Sequence, residues 1–240
     1  MTKLKRSNDR KVANAVSKNG KTPTIANTFG LPAGKDFSCP GATSVCESVC
    51  YAGKLERLYK GVKSTLLHNW ELLKNADHDT MEALLTDMIH DFKKDCDKRN
   101  AEKLFRIHWD GDFFSDEYTF AWKHVILNNP DVQFWVYTRV PSAANILKDI
   151  ENLSLYFSAD SENIKTAVDL KLNNGIRMAY LAKNFAVGQE TLKELISKPG
   201  AKCPENAKRI PLISTNGSAC VTCGLCVHNK SDIVFSSSKK

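Results

Sequence analysis

No apolar run in this sequence of 240 residues approaches the roughly 20 residues that a helix needs to cross a membrane. The first residues, Met1 to Arg6, are mostly polar or basic and no apolar segment follows them, so a signal peptide is not expected. Both absences predict a cytoplasmic protein, in the host cytoplasm if it is phage-encoded, with no membrane partner.

A concentrated basic region is also lacking. Lys and Arg number 34 against 27 Asp and Glu, which gives a formal net charge of +7, but the lysines are scattered and gather only near the two tails. A positive balance of this kind can mark a nucleic-acid partner, and the scattering leaves that partner class open. Hydrophobic residues make up 42% of the chain, which is enough for a substantial core.

Cysteine, in contrast, is plentiful. The chain has eight cysteines, and disulfides are not expected in a reducing cytoplasm. Six of the eight fall in two short segments, residues 39–50 and 220–226, and such clustering is typical of metal or cluster sites. Cys96 lies on the apolar face of a helix predicted over residues 79–99, and we interpret it as a buried free thiol.

The first cysteine group consists of Cys39, Cys46 and Cys50, with gaps of six and three residues. Three thiolates are an informative number, because a structural zinc ion takes four protein ligands, whereas an iron–sulfur cubane held by three keeps one iron open. The group therefore predicts a three-cysteine cluster. A zinc site completed by His68 or His108 is the alternative.

The second group consists of Cys220, Cys223 and Cys226, separated by two residues each, and Cys203 could supply a fourth thiolate. Two-residue gaps suit a cluster wrapped by one loop, and the same four thiolates could instead hold zinc. His228 is a substitute for the fourth ligand. A metal shared by both cysteine groups is a further arrangement, since the ends of a barrel can meet.

Short apolar strands alternate with helical segments through most of the chain, which predicts parallel βα units. Such a series forms an open doubly wound sheet or a barrel-like arc, and we predict an α/β fold with a partial (β/α)6 TIM-like barrel. The predicted strands lie within 22–31 and at 104–109, 132–137, 153–157, 176–181 and 210–214.

Four segments follow from this pattern. Residues 1–20 are predicted to be a flexible basic arm, 21–200 the catalytic domain, 201–230 a cysteine-rich segment packed on that domain, and 231–240 a disordered tail. A single helix is predicted over 53–75.

Polar residues follow each predicted strand, and the carboxyl ends of parallel strands meet at one rim, where ligands bind. We therefore expect the first cysteine loop to lie at the same rim as the residues after the later strands. These residues are Asp110, Asp112, Thr138, Arg139, Ser158, Asp160, Lys183, Asn184, Ser214 and Thr215.

A βα arc with three cysteines after its first strand resembles the radical S-adenosylmethionine superfamily. That resemblance implies a [4Fe–4S] cluster on three cysteines, whose open iron binds S-adenosylmethionine and generates a 5′-deoxyadenosyl radical. Tyr51 matches the aromatic residue common beside the last cysteine, and the second cysteine group matches an auxiliary cluster. Asp110-Gly111-Asp112 stands where that superfamily has Gly-Gly-Glu-Pro.

The same resemblance implies roles for residues at the strand ends. Asp112 or Asp110 would bind the ammonium group of the cofactor, and Arg139 its carboxylate. Ser158, Asp160 and Asn184 would face ribose hydroxyls, although Ser158 and Asp160 could instead cap the following helix. A flavodoxin or ferredoxin would be the reductant.

A closer resemblance is to the phage gene product 88 family. It is carried by Cys-Pro-Gly-Ala-Thr at 39–43, Cys-x3-Cys-Tyr-Ala at 46–52, Gly-Asp-Phe at 111–113 and Tyr-Thr-Arg at 137–139. It covers residues 22–228 and implies a phage or prophage origin without implying a reaction.

Two other functional classes stay open. One is a zinc-containing TIM-barrel enzyme that modifies a nucleobase or nucleic acid, with Asp110, Asp112 and Asp160 as its acid, base or nucleophile. The other is a non-enzymatic zinc protein that binds a host protein or nucleic acid. The substrate itself is not indicated by the sequence.

Overall fold

The computed structural model describes residues 2–238, which form a mixed α/β fold. The strands are β1 Thr28–Gly30, β2 Leu104–Asp110, β3 Gln133–Thr138, β4 Leu153–Ala159, β5 Arg177–Ala182, β6 Ala201–Lys202, β7 Ile213–Ser214, β8 Gly217–Ser218 and β9 Ile233–Ser236. The helices are α1 Ser44–Val49, α2 Tyr51–Leu58, α3 Lys60–Leu73, α4 His78–Arg99, α5 Asp116–Leu127, α6 Pro141–Leu147, α7 Ile164–Asn174, α8 Phe185–Ile196 and α9 Ala219–Cys223. No helix among these is long and apolar enough to cross a membrane.

Seven strands form one parallel sheet in the order β1-β2-β3-β4-β5-β9-β6. The α/β class and the parallel sheet are confirmed. Within residues 2–238 the sheet does not close into a barrel, because β1 and β6 remain at its edges.

The two faces of the sheet are covered differently. Alternate side chains of a strand point to opposite faces, so Phe134 and Val136 of β3 join the main core with helices α4 to α8. Trp135, between them, packs instead with Val12 from the N-terminal segment and Val227 from the C-terminal segment. Helices α4 to α8 therefore lie on one face, and the two chain ends cover part of the other.

Two sequence predictions about regular elements were wrong. Residues 210–214 do not supply a strand of the large sheet, because Ile213 and Ser214 pair only with β8 in a small hairpin. Ser214 and Thr215 consequently do not belong to the rim of the large sheet. The helix predicted over 53–75 is two helices, because Tyr59 adopts an extended backbone between α2 and α3.

Both predicted flexible ends are ordered in their described parts. Leu4, Val12 and Ala13 of the N-terminal arm are buried. In the C-terminal tail, β9 pairs with β5 on one side and β6 on the other. The two predictions were wrong because the apolar residues in each end are too few to show periodicity. They are nevertheless packed on the sheet or paired within it. Met1 and residues 239–240, which fell in these predictions, lie outside the described residues.

Strand β2 contains an irregularity at His108. This residue has φ 57°, in the left-handed region, and the pairing register between β1 and β2 shifts across it. An extra residue at such a bulge turns the side chains that follow. His108 consequently faces the helices, where its Nε2 lies 2.9 Å from the Tyr118 hydroxyl oxygen.

Candidate functional site

A large cavity of about 1540 Å³ lies over the sheet face opposite helices α4 to α8. Its floor is formed by side chains of that face, among them Arg106, Tyr137 and Phe235. Cys50 lines one wall, and Cys203, Cys220, Cys223 and Cys226 line the other. The fold therefore brings Cys50 of the first cysteine group and all four cysteines of the second, which are far apart in sequence, to one cavity.

Of the first cysteine group, Cys39 lies in the loop before α1, Cys46 lies in α1, and Cys50 lies between α1 and α2. Thr43 caps α1 through a 3.0 Å hydrogen bond from the Cys46 backbone N–H to its hydroxyl, and Cys50 caps α2 by accepting from the Gly53 N–H at 3.3 Å. Burial raises the pKa of all three thiols, that of Cys39 to about 12. None of the eight cysteines forms a disulfide in the structure.

Asp160, at the end of β4, joins this loop to the sheet. Its buried carboxylate accepts a hydrogen bond from the Thr43 hydroxyl at 2.5 Å and forms an ion pair with the Arg139 guanidinium at 2.6 Å. The same guanidinium contacts the Cys46 thiol and acts to lower its pKa, although burial dominates. The residues that follow β3 and β4 therefore lie together, as predicted. Arg139 and Asp160, however, form an ion pair with each other.

The Asp112 carboxylate is also bound by groups of the protein itself. It accepts hydrogen bonds from the Phe113 N–H, the Thr138 hydroxyl and the Arg139 N–H, at 2.7–2.8 Å. Burial raises its pKa to about 6, and these three hydrogen bonds act in the opposite direction. Asp112 thus fixes the end of β3 beside the cysteine loop, with its oxygens already satisfied by protein donors.

Two glycines allow the loop to approach the strand ends closely. A Cβ atom on Gly41 would lie 2.4 Å from the Arg139 carbonyl oxygen. Gly111 has φ 81°, and a Cβ there would lie 2.4 Å from the Ser38 hydroxyl oxygen. The Cys-Pro-Gly and Asp-Gly-Asp motifs are therefore packed against their neighbours at these glycines.

The variant Gly41→Ala is expected to lower the free energy of unfolding by about 2 kcal/mol, because the backbone of Arg139 must move to admit the new methyl group. Gly61→Ala is the matched control: Gly61 lies in α3 with no atom within 4 Å of the added Cβ, so alanine should stabilise by up to about 1 kcal/mol. Urea unfolding measures both. Equal effects in the two variants would contradict the close approach at Gly41.

Asp110 lies against a second carboxyl group. Burial and the neighbouring Glu56 carboxyl raise the pKa of Asp110 to about 9. Glu56, on α2, also accepts a 2.8 Å hydrogen bond from the Ala33 N–H. Asp110 further raises the pKa of Cys39 and Cys50 through its charge, which places this acid pair beside the first cysteine group.

The second cysteine group surrounds the turn at Gly224, whose N–H donates a 2.8 Å hydrogen bond to the Cys220 carbonyl oxygen. Burial raises the pKa of Cys220 and Cys226 to about 12 each, and the charges of neighbouring thiols, including Cys203, add to this rise. Cys203 therefore lies with the other three cysteines. His228 is exposed and does not line the cavity.

The cavity floor carries charged residues that sequence reasoning missed. Arg106 of β2 lies 5.4 Å over the Tyr137 ring and 3.6 Å from an Asp9 carboxylate oxygen, while its buried Nε has no partner in residues 2–238. Lys11 pairs with Glu205 at 2.5 Å. Arg106 could have been predicted as a site residue, because an arginine in the middle of an apolar strand is unusual. No local sequence pattern indicates Lys11.

The remaining predicted binding residues have mixed placements. Tyr51, Ser158 and Asn184 line the cavity together with Arg139, whereas Asp110, Asp112 and Asp160 do not. Tyr51 donates a 3.1 Å hydrogen bond to the Trp109 carbonyl oxygen. Asn184 caps α8 by accepting from the Val187 N–H at 3.0 Å.

The spacing of the sulfur atoms bears on which metal fits. Four thiolates 2.3 Å from a zinc ion are about 3.8 Å apart in a tetrahedron. Among residues 2–238, no three cysteine sulfurs lie within 4.8 Å of one another. The one such group of metal-ligating side chains in that range is His78, Glu82 and His124, on the surface of α4 and α5. Neither His68 nor His108 completes a compact site with the first cysteines.

These features define a class: an α/β protein with a parallel sheet, in which one cysteine of a three-cysteine loop and a second group of four cysteines line a common cavity. The Gene product 88 family model matches residues 2–229, and the chain belongs to that family. It is 54% identical over 245 residues to the Gene 88 protein of Mycobacterium phage L5, and 52% identical over 246 residues to that of Mycobacterium phage D29. Both alignments cover 100% of each chain, and no solved structure matches.

Proposed function

We propose that the protein is an iron–sulfur enzyme of the radical S-adenosylmethionine type. Cys39, Cys46 and Cys50 would hold a [4Fe–4S] cluster with one open iron. The observation that carries the proposal is that Cys50, the last cysteine of the three-cysteine loop, and all four cysteines of the second group line one large cavity. Phage relatives across the whole chain agree with the proposed phage origin but indicate no reaction.

The donor set fits such a cluster. A cubane binds each thiolate through a different iron, so its ligands lie farther apart than zinc ligands and need not fall within 4.8 Å of one another. Cys203, Cys220, Cys223 and Cys226 would hold an auxiliary cluster, with zinc as the alternative there. When bound and reduced, the first cluster would supply the electron that cleaves the sulfonium of S-adenosylmethionine.

The residues around the loop would position it. Asp160 and Asp112 fix Thr43 and the end of β3, and Arg139 places a positive charge beside Cys46. A positive charge favours the thiolate over the thiol, which is the form that binds iron. Tyr51, Ser158 and Asn184 line the cavity where the cofactor would lie.

The order of the strands supports a partial TIM-like barrel. Strands β1 to β5 are neighbours in sequence order, and helices α4 to α8 share one core with one face of the sheet. Right-handed βα connections that always advance in one direction produce this arrangement, which curves into an arc. We therefore propose that the sheet is an open part of such a barrel.

The zinc enzyme that uses strand-end aspartates is less well supported. Asp112 and Asp160 are occupied by protein donors, and neither lines the cavity. A non-enzymatic zinc protein is also less well supported, because cavities of this kind, here about 1540 Å³, are typical of small-molecule sites.

The first test measures iron, acid-labile sulfide and zinc in protein purified without oxygen. We expect about eight iron and eight sulfide per chain, about half of each in Cys46→Ala or Cys223→Ala, and no loss in the control Cys96→Ala. Reduction with S-adenosylmethionine present should then release 5′-deoxyadenosine.

About four iron with one zinc would keep the three-cysteine cluster and assign zinc to the second group. Zinc without sulfide would overturn the proposal, provided that the zinc persists in His124→Ala and is therefore not held by the surface group of His78, Glu82 and His124.

A further inference from the structure

We infer that the cavity binds a nucleoside phosphate, with basic side chains on the phosphate and aromatic side chains on the base. The inference names the substrate class of the proposed site. It rests on the proposed function only in treating the bound molecule as a substrate, because binding itself does not require a cluster.

The charge of the cavity lining is the first argument. Of the described residues that line it, eight are Lys or Arg and two are Glu. The whole chain, by comparison, has 34 basic and 27 acidic residues. Positive charge is therefore concentrated in the cavity although it is scattered in the sequence, and such a field favours an anionic ligand.

Part of this charge is already neutralised. Lys11 pairs with Glu205, Arg106 lies near Asp9, and Arg139 pairs with Asp160. These pairs lie at the floor of the cavity and at the first cysteine loop, close to the cysteines. Because their charges are already paired, they contribute less to binding an anion than unpaired cations would.

Other basic residues have no carboxylate partner. Within residues 2–238, no Asp or Glu oxygen lies within 4.0 Å of the side-chain nitrogens of Lys54, Arg57, Lys202 or Arg209, and all four line the cavity. Lys54 and Arg57 lie three residues apart on α2, and so share one face of that helix. Lys202 and Arg209 come from the opposite wall. An anion between the walls would meet positive charge on both sides.

Aromatic rings supply the second half of the recognition. Tyr51, Tyr137, Phe185 and Phe235 line the same cavity. Arg106 lies over the Tyr137 ring and Lys11 over the Phe235 ring, 5.4 and 5.8 Å from the ring centroids. Tyr51, in contrast, is 52% exposed and its ring can face a ligand. Bases stack on such aromatic faces, with a free energy of about 1–3 kcal/mol per base. Basic and aromatic side chains together favour a nucleotide over a simple carboxylate.

The size of the cavity agrees with two occupants. Pockets for one small molecule usually measure about 300–1,000 Å³. The present cavity, at about 1540 Å³, has room for a nucleotide next to a cofactor. Because Lys54, Arg57 and Arg209 are exposed, the phosphate would lie towards the opening.

Fluorescence anisotropy with a fluorescein-labelled thymidine oligonucleotide of about twelve nucleotides tests the inference. We expect saturable binding whose affinity falls about tenfold in the double variant Lys54→Gln/Arg57→Gln. The slope of the logarithm of the binding constant against the logarithm of the salt concentration should fall by the equivalent of about two phosphate contacts. The matched control is Lys60→Gln/Lys63→Gln, which removes the same charge from exposed lysines of α3 outside the cavity lining. That control should bind like the parent protein.

Competition identifies the form of the ligand. Displacement by thymidine monophosphate supports a free nucleotide, and displacement only by unlabelled oligonucleotide supports a nucleotide within a strand. Displacement by thymidine as effective as that by its monophosphate would overturn the inference. So would absence of saturable binding, or equal weakening in the two double variants, since either removes the role of the cavity cations.

Iron and sulfide measured on the same samples separate this inference from the proposed function. Protein that carries clusters but binds no oligonucleotide contradicts only the nucleoside phosphate. Protein that binds it at the cavity but contains no sulfide contradicts only the iron–sulfur proposal.

Discussion

Replacing Asp160 by Asn is expected to lower the free energy of unfolding by about 3–5 kcal/mol. Asp160 is fully buried, and its partner Arg139 has a side chain only 11% exposed. Asparagine can still accept the hydrogen bond from Thr43, but it leaves the guanidinium buried without a compensating charge. Urea unfolding followed by tryptophan fluorescence measures the loss.

Asp91→Asn is the control for this experiment. Asp91 also forms an ion pair, with Lys3 at 2.7 Å, but both side chains are more than one third exposed. Solvent screens such a pair, so its loss should change stability by less than about 1 kcal/mol. A loss at Asp160 no larger than that at Asp91 would show that the Asp160–Arg139 pair does not hold the cysteine loop on the sheet.

A second variant distinguishes the unpaired charge from other effects. Asp160→Asn/Arg139→Met removes both charges, and replacing a buried ion pair by apolar groups is often nearly neutral. We expect the double variant to recover much of the stability that Asp160→Asn loses. Failure to recover would show that the unpaired guanidinium is not the cause of the loss.

His108 is expected to make the protein sensitive to acid. Burial lowers its pKa to about 3, and the charge of Arg106 acts in the same direction. In the unfolded chain a histidine titrates near 6.5, so between these values the unfolded state binds a proton that the folded state does not. The stability that His108 contributes is present above about pH 6.5 and is lost as the pH falls. From pH 7 to pH 4 the loss is about 3 kcal/mol.

The variant His108→Asn isolates this effect. Asparagine cannot be protonated and tolerates the left-handed backbone at this position. It should be less stable than the parent protein at pH 7, because the packing of the ring against Phe113 and Tyr118 is lost. The difference between the two proteins should then shrink by about 3 kcal/mol at pH 4. Urea unfolding at both pH values measures this, and parallel pH dependences would contradict it.

The comparison cancels the opposing contribution of Asp112. Its pKa is raised, to about 6, so it favours the folded state increasingly as the pH falls. Because both proteins contain Asp112, its contribution is common to them.

Strands β2 to β5 and the helices between them could be predicted from sequence. Each strand is a short apolar run, and each helix has a local stripe or a start signal such as Ser115 or Pro141. These signals are local. Strand β9 has only Ile233, Val234 and Phe235 next to a run of serines, and its place depends on the gap between β5 and β6. A gap of this kind is a tertiary property.

The candidate site was predictable to a similar extent. The spacing of the cysteines indicates two groups, and parallel topology brings the first of them to Arg139 and Asp160. The sequence does not show whether a strand-end polar residue binds a ligand or another residue, and here Asp160 and Arg139 bind each other. Lys11 reaches the cavity through the long-range packing of the N-terminal segment on the sheet, which no local pattern records.

The position of β9 has a consequence for the order in which the molecule is completed. Chains fold as they are synthesised from the N-terminus, and β9 is made after the other six strands of the large sheet. Strand β6 pairs with β9 alone, so it has no partner in the large sheet until β9 has been made. Residues 203–226, with the second cysteine group, are thus anchored at their far end only after β9 has joined the sheet. The first cysteine group is therefore made before most of the sheet, and the second group is fixed in place by the strand that completes it.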